Sequence, residues 1–414
     1  MQGNEGMGEI NSPPASSGHL FQSLKADFHL MKLKVVLLSE MLQPYRVPVF
    51  NALAERDDLE FHVLLLSIIE ANREWDVPFS RCRFEYTVLP SRDIYIHSLD
   101  WGLHFNKGVT ENLDRLNPDV IVGTGYSSPT LWIAQHWAKK HKRGYVLWSG
   151  STEASSRLQN PLMKAMKRLF IRRCDAFLTY GSEATRTIAN LGASPDRIVT
   201  GCNTVDIDDF ARITEAARNS TDFPAWRQKF PQRIILFVGQ MIERKGVADL
   251  LAAFRQVQTP DAGLILAGNG PLLEEYKNQT RDLKNVFWEG YVQSSEMGPY
   301  LAAADVLVMP SLIEVWGLVV NEAMAAGVPV IATTCSGSTR DLIEDGKNGY
   351  GFTAGDVNQL SGLLESVIKE PSRWESMGQE AALRIRSCSP IHYGAKLREA
   401  AQIANKKRFP KVNE

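Results

Sequence analysis

Glu314 and Glu322 are the residues whose type and spacing point most directly to chemistry. They close the stretch EVWGLVVNE at both ends, an E-x7-E arrangement in an almost wholly apolar segment. From Leu318 to Ala326 the polar residues are Asn321 and Glu322, and Gly327 follows as a stop signal, which predicts a helix with almost no solvent face. A bare carboxylate in such a helix is costly unless something pairs with it. Helical side chains lean toward the N-terminus, so Glu322 reaches back over Leu318 toward Glu314. The free N–H groups of Trp316, Gly317 and Leu318, with Val315 just before them, gather at that end, and Gly317 permits close approach. Helix N-termini attract phosphate and carboxylates accept hydrogen bonds from hydroxyls. A phosphate flanked by sugars fits both.

A second group is VGQMIERKG, Val238 to Gly246, with Gly239 and Gln240 at a strand end and Arg244 and Lys245 at a helix start. A lysine there opposes the helix dipole unless an anion lies between them; the bland alternative is a solvated charge. AGNGP (Ala267 to Pro271) is an ordinary turn signal by itself. Asp206 and Asp208 resemble a two-carboxylate metal pattern but lack a preceding buried strand, and no metal site is expected. His97, His104, His136 and His141 show no metal-ligand spacing, and neither a G-x-S-x-G elbow nor a Walker A loop is present.

These groups need a scaffold, and the chain supplies one twice. MKLKVVLLSE, EFHVLLLS, NPDVIVGTGYSS, GYVLWSGS and DAFLTYGS read as buried strands alternating with helical stretches, the signature of a parallel α/β sheet. The segment beginning CNTVDIDDF is polar and carries no strand until Arg233, where RIILFVGQ restarts the rhythm. Expected boundaries are a disordered extension over 1–30, a first Rossmann-like domain over 31–205, a linker over 206–232, a second Rossmann-like domain over 233–390, and a helix and tail over 391–414 packing back on the first domain. A cleft between the two sets of strand C-terminal edges would hold ligand.

Composition narrows the class. With 46 basic and 47 acidic side chains among 414 residues the net charge is -1, which argues against nucleic-acid binding by bulk charge. Five scattered cysteines without C-x-x-C spacing predict free thiols in a reducing compartment. No apolar run is long enough to span a membrane. A cytoplasmic location is therefore expected. One helix, Pro161 to Arg173, sets Leu162, Met163, Met166, Leu169 and Phe170 on one face and Lys164, Lys167, Arg168 and Arg172 on the other. Two readings stand: a sheet-covering helix with a solvated basic face, or a peripheral contact with anionic lipid.

VGQMIERKG, LAGNGP, VFWEGYV, ADVLVMPSLIEVWGLVVNEAMAAGVPVIA and GSTRDLIEDGKNGY, in this order and with E-x7-E spacing, resemble glycosyltransferase family 4, retaining enzymes of the GT-B fold. The first half resembles that family's acceptor domain more loosely, through its strand rhythm and PYRVPVFNALAER. The resemblance implies a metal-independent retaining transferase that moves a sugar from a nucleotide-diphosphate donor to a glycan or lipid-linked acceptor in surface polysaccharide or glycoconjugate synthesis. It implies that Glu322 binds the ribose hydroxyls. Glu314 and the N–H groups from Val315 to Leu318 would hold the donor sugar and distal phosphate. Lys245, with Gly239, Gln240 and Arg244 beside it, would neutralise the leaving diphosphate, and Gly290, Tyr291 and Val292 would border the base. Tyr45, Arg46 and Tyr126 are the acceptor-side candidates. The pattern departs at Gln240, where the family carries Arg, and Arg244 is the nearest substitute. SEMLQPYRVP replaces a Gly-rich loop, with Arg46 as its cation, and no general base is evident. A retaining transfer tolerates that gap, because the leaving phosphate takes the acceptor proton. The alternatives are a non-catalytic GT-B scaffold and a nucleotide-sugar epimerase.

Overall fold

The computed structural model describes residues 32–68, 79–96, 101–153, 161–257 and 259–406. The first sheet is built from β1 (Leu33–Ser39), β2 (Leu59–Leu65), β3 (Glu85–Val88), β6 (Val120–Thr124), β7 (Gly144–Ser149), β8 (Ala176–Thr179) and β9 (Ile198–Thr200). Its order is β3-β2-β1-β6-β7-β8-β9 and every pairing is parallel. β4 (Ser91–Ile96) and β5 (Trp101–Asn106) form a separate antiparallel pair. The helices of this half are α1 (Val47–Ala54), α2 (Val109–Leu116), α3 (Pro129–Lys140), α4 (Pro161–Arg172) and α5 (Ser182–Asn190).

Next come α6 (Ile207–Arg218) and α7 (Phe223–Arg227), in the stretch expected as a linker. α6 is no loose tether, because Ile207 and Phe210 are buried with Leu301 and Val320 in the second domain's core. The second sheet contains β10 (Arg233–Val238), β11 (Ala262–Ala267), β12 (Val286–Gly290), β13 (Val306–Met309), β14 (Val330–Thr333) and β15 (Gly349–Phe352). Its order is β12-β11-β10-β13-β14-β15, again all parallel. Its helices are α8 (Val247–Gln256), α9 (Leu273–Gln279), α10 (Gly298–Ala303), α11 (Leu318–Ala325), α12 (Gly337–Leu342), α13 (Val357–Lys369) and α14 (Pro371–Ile385). α15 (Pro390–Lys406) returns to the first sheet and buries Tyr393, Leu397, Ala400, Ala401 and Ala404 there.

The unbroken apolar runs follow from burial on both faces. Val35 and Leu37 of β1 enter the core shared with α1 and α15, whereas Val36 and Leu38 enter the core shared with α3. β10 repeats the arrangement, with Ile234 and Leu236 on one side and Ile235 and Phe237 on the other. In each sheet the strand order reverses once, between β1 and β6 and between β10 and β13. Loops part at such reversal points and leave a crevice at the strand C-termini.

Two pairings tie the crossings between domains. Cys202 and Cys388 are joined as a disulfide with Cα atoms 5.5 Å apart, which corrects the expectation of five free thiols; Cys82, Cys174 and Cys335 are not in disulfides. Thr204 Oγ1 donates to the carbonyl of Cys388 alongside. Among the described residues, no helix is long and apolar enough to cross a membrane.

Candidate active site

The residues singled out by sequence fall at the two reversal points. Lys245 lies on the loop after β10 and Glu314 on the loop after β13, so the reversal in the second sheet brings together side chains 69 positions apart. Lys245 Nζ is 2.5 Å from Glu314 Oε2, and both side chains are largely covered, at 21% and 12% exposure. Glu314 Oε1 also accepts from the Val315 N–H at 3.1 Å, which fixes the carboxylate in the plane of its own loop. Gly246 closes the Lys245 turn at φ +67, and a Cβ there would meet the Pro310 carbonyl oxygen at 2.0 Å. The β10 and β13 loops touch at this glycine.

α11 starts at Gly317, which has φ +85 and whose Cβ would meet Met309 Sδ at 2.4 Å. No side chain caps the helix, so its first N–H groups remain available to an anion beside Glu314. Glu322, one turn in, is partly covered and accepts no hydrogen bond or ion pair among the described residues. Burial pushes its carboxyl up to about 7. An acid left without a partner in a nearly apolar helix is costly in the empty protein, and hydroxyl donors would relieve that cost. Trp316 differs from its neighbours: its ring is buried and Nε1 donates to Asn321 Oδ1 at 2.9 Å, so what it can offer a ligand is backbone.

Around this centre, Gly239 and Gly268 bring the ends of β10 and β11 together; a Cβ on Gly268 would lie 1.8 Å from the Gly239 carbonyl oxygen. Gly290 accepts from the Gly268 N–H at 2.6 Å, Tyr291 stands exposed, and Val292 packs against the second core. Gln240 and Arg244 side chains are in solvent. The Arg244 carbonyl accepts from the Leu312 N–H at 2.9 Å, so its main chain braces the Glu314 loop. Asp206 caps α6 through the Asp209 N–H at 3.2 Å, and among the described residues no three His, Cys, Asp or Glu side chains gather as a metal site. His97 lies outside the described residues.

Across the cleft, Tyr45, Arg46 and Tyr126 follow β1 and β6, the reversal point of the first sheet. Tyr126 donates to Ser151 Oγ at 3.3 Å, accepts from Trp132 Nε1 at 3.0 Å through its carbonyl, and has its phenol raised by burial. Tyr45 packs on the second domain's core. Arg46 is buried among aromatic rings, closed off from the solvent that an open acceptor contact would need. The two edges face each other directly. Ser182 donates its N–H to Asp341 Oδ2 at 2.8 Å, so a carboxylate of the second domain sits on the first N–H of α5, and Arg340 pairs with Glu183 beside it. Sequence reasoning missed Asn203, Asp341 and the Asn321–Asn203 contact; their links to Arg46, Ser182 and each other span more than a hundred residues and leave no local signal.

α4 divides the apolar stripe expected on it. Phe170 and Ile171 anchor its C-terminal end in the core, while Leu162, Met166 and Leu169 stand 67%, 42% and 48% exposed. Leu162, Met166 and Leu169 of the expected apolar stripe thus face outward beside Lys164, Arg168 and Arg172, while Phe170 of the same stripe is buried in the first domain's core.

Residues 220–384 match the family described as glycosyl transferases group 1. Sulfoquinovosyl transferase SQD2 of Arabidopsis thaliana is 33% identical over 152 residues, 36% of this chain and 29% of that protein. The GDP-mannose-dependent monoacylated alpha-(1-6)-phosphatidylinositol monomannoside mannosyltransferase of Corynebacterium glutamicum is 31% identical over 219 residues, 49% of this chain and 55% of that protein. The chain therefore spans about half or less of the length of these curated relatives. Among solved structures, Anabaena Alr3699/HepE in complex with UDP superposes with a TM-score of 0.70 at 17% identity, covering 90% of this chain and 100% of that one. The fold is GT-B, and the resemblance read from the E-x7-E segment stands.

Proposed function

From the premise that this chain resembles the GT-B glycosyltransferases and carries a group 1 glycosyl transferase segment, we propose that it moves a sugar from a nucleotide-diphosphate donor to an acceptor held by the first domain. The observation that carries this reading is Glu322, without a partner among the described residues, one turn into the helix that follows the Glu314 loop, with the Lys245–Glu314 pair at the reversal point of the second sheet. A ribose diol supplies the two donors that Glu322 lacks. The uncapped start of α11 and Lys245 supply positive potential for the diphosphate, with no metal required. Lys245 would then leave Glu314 in part for the phosphate, and Glu314 would accept from the donor sugar.

Transfer with retention fits a site that offers an anion cradle and no evident base. The C–O bond to the diphosphate breaks while the acceptor oxygen bonds to the same carbon from the same face, and the leaving phosphate oxygen takes the acceptor proton. Solved relatives in this fold include one bound to UDP, which supports a nucleotide donor.

For the acceptor we favour a lipid-linked or membrane-proximal glycan. The outward stripe of Leu162, Met166 and Leu169 with flanking cations suits an anionic leaflet, and Lys167 of the same helix lies 5.7 Å from the Tyr126 ring. A relative whose name specifies a phosphatidylinositol mannoside acceptor is in keeping with this.

The test is a ligand-induced thermal-shift screen over a panel of nucleotide sugars, followed by assay of nucleotide-diphosphate release with and without acceptor glycolipids. A shift with one nucleotide sugar and acceptor-dependent release are expected. Binding without release would favour the scaffold, and conversion of the donor sugar without acceptor the epimerase.

A further inference from the structure

Arg46 is a buried cation with no acid paired to it among the described residues. Its guanidinium lies 4.1 Å from the centre of the Trp148 ring, 4.9 Å from that of Tyr180 and 5.3 Å from that of Tyr45. Nη2 donates to the Tyr180 hydroxyl and Nη1 to Asn203 Oδ1 at 3.3 Å; among the described residues none of these partners is a carboxylate. Desolvating a guanidinium is costly, and rings and neutral oxygens offset only part of that cost. Replacing buried charges by apolar residues of similar volume is often neutral or stabilising, so stability alone gives a weak account of this cation.

The Asn203 contact leads out of the first domain. Asn203 lies between β9 and α6, where the chain crosses over, and its N–H is held by the Tyr180 carbonyl at 2.9 Å. Its own carbonyl accepts from Asn321 Nδ2 at 2.9 Å, and Asn321 Oδ1 accepts from Trp316 Nε1 at 2.9 Å. Arg46, Asn203, Asn321 and Trp316 are all 5% exposed or less, so water cannot substitute for any link. The far end of the path is the segment from Glu314 to Glu322, which contains Trp316 and the α11 N-terminus and has the two glutamates at its ends. Polar side chains whose every partner is buried have few alternative geometries.

We propose that Arg46 is a positioning residue. Through Asn203, Asn321 and Trp316 it sets the angle at which α11, with Glu314 and Glu322, faces the first domain. The activity arm of the test rests on the transferase reading above; the two structural arms do not.

The variants are Arg46→Lys, which keeps a cation among the rings but cannot span Tyr180 and Asn203 together, and Asn203→Ala, which cuts the path while leaving Arg46 in place. The first arm is hydrogen–deuterium exchange of the ligand-free protein: faster exchange over 314–322 is expected in both variants. The second is small-angle scattering, where both should show a larger radius of gyration than wild type. In the third, turnover should fall about tenfold or more, as expected for reacting groups misplaced by a fraction of an ångström to an ångström. Nucleoside-diphosphate affinity by calorimetry should stay within about twofold, because the donor site lies in the second domain. Unchanged exchange over 314–322 and unchanged radius in both variants would overturn the proposal. So would a fall in nucleoside-diphosphate affinity as large as the fall in turnover, which would mark Arg46 as a ligand contact. If no donor supports turnover, the exchange and scattering arms still decide. If Arg46→Lys does not fold, Asn203→Ala decides alone.

Discussion

Lys245 Nζ and Glu314 Oε2 meet at 2.5 Å across the reversal point of the second sheet, where each would otherwise be a poorly solvated charge. The pair is preformed but not saturated, because the lysine has further donors to offer. Lys245→Ala should lower turnover by about 100-fold or more, as removal of one electrostatic stabiliser does. It should also weaken nucleoside-diphosphate binding, read by calorimetry, with Lys245→Arg recovering part of both. Full activity in Lys245→Ala would remove the lysine from the diphosphate site.

Glu322 gives a pH signature of unusual sign. Its carboxyl is pushed up by burial to about 7, above the value of 4.5 it starts from. The folded state thus holds this proton more tightly than the unfolded one. The stabilisation is fully present below about 4.5 and is lost as pH rises through about 7. Glu322→Gln should remove this dependence, so its melting temperature relative to wild type should rise between pH 5 and 8, by a few degrees for about 1–2 kcal/mol. Both Glu322→Gln and Glu322→Ala should lose nucleoside-diphosphate affinity by about 2–4 kcal/mol while staying folded. Parallel melting curves across pH, or unchanged affinity, would count against the assignment.

Chelator-treated protein should transfer sugar at the untreated rate, since Lys245 and the α11 N-terminus provide the positive potential. If activity vanishes with chelator and returns with magnesium or manganese, the cation is supplied by metal and the donor-side reading must be rebuilt.

Cys202–Cys388 closes a loop of 186 residues between the two crossings. Disulfides typically add about 2–4 kcal/mol, and long loops lie toward the upper end. Reductant should lower the melting temperature of wild type and leave a Cys202→Ser, Cys388→Ser double variant unmoved. Identical melting with and without reductant would mean the thiols are already reduced in the purified protein.

Anionic vesicles should co-sediment the protein at low salt and release it at high salt, each lysine or arginine near the leaflet contributing about 1 kcal/mol. Changing Lys164, Lys167, Arg168 and Arg172 to Gln should abolish binding, and Leu162→Ser with Met166→Ser should weaken it without altering its salt dependence. Equal binding by the Gln variant would point to a soluble acceptor.

Much of the second domain was legible because its signals are local. The E-x7-E spacing, the glycine before α11 and the strand ends lie within one helix–loop unit, and a lysine opposing a helix dipole suggests its missing anion wherever it occurs. What joins the domains was not legible. Asn203 and Asn321 are neutral, common residues 118 positions apart, and nothing in either neighbourhood announces the other. The same holds for Cys202 and Cys388. The helix α6 goes unread for a different reason: Ile207, Phe210 and Thr214 carry helical spacing, but the stretch reads only as a strand-free linker. α4 shows what amphipathicity leaves open, since two stripes on a helix do not say which one faces in.

α15 has a consequence for how the molecule is made. The first sheet leaves the ribosome before the second, but Tyr393, whose hydroxyl accepts from Trp148 Nε1 at 2.6 Å, and the alanines that seal its core follow the whole second sheet in the chain. During translation the first domain must therefore wait, with one face of its sheet covered by α1 but not by α15, while the second domain, whose helices and strands are nearly contiguous in the chain, completes itself. The order of synthesis and the order of completion are reversed, and the nascent first domain is the part of this protein that chaperones would be asked to shield.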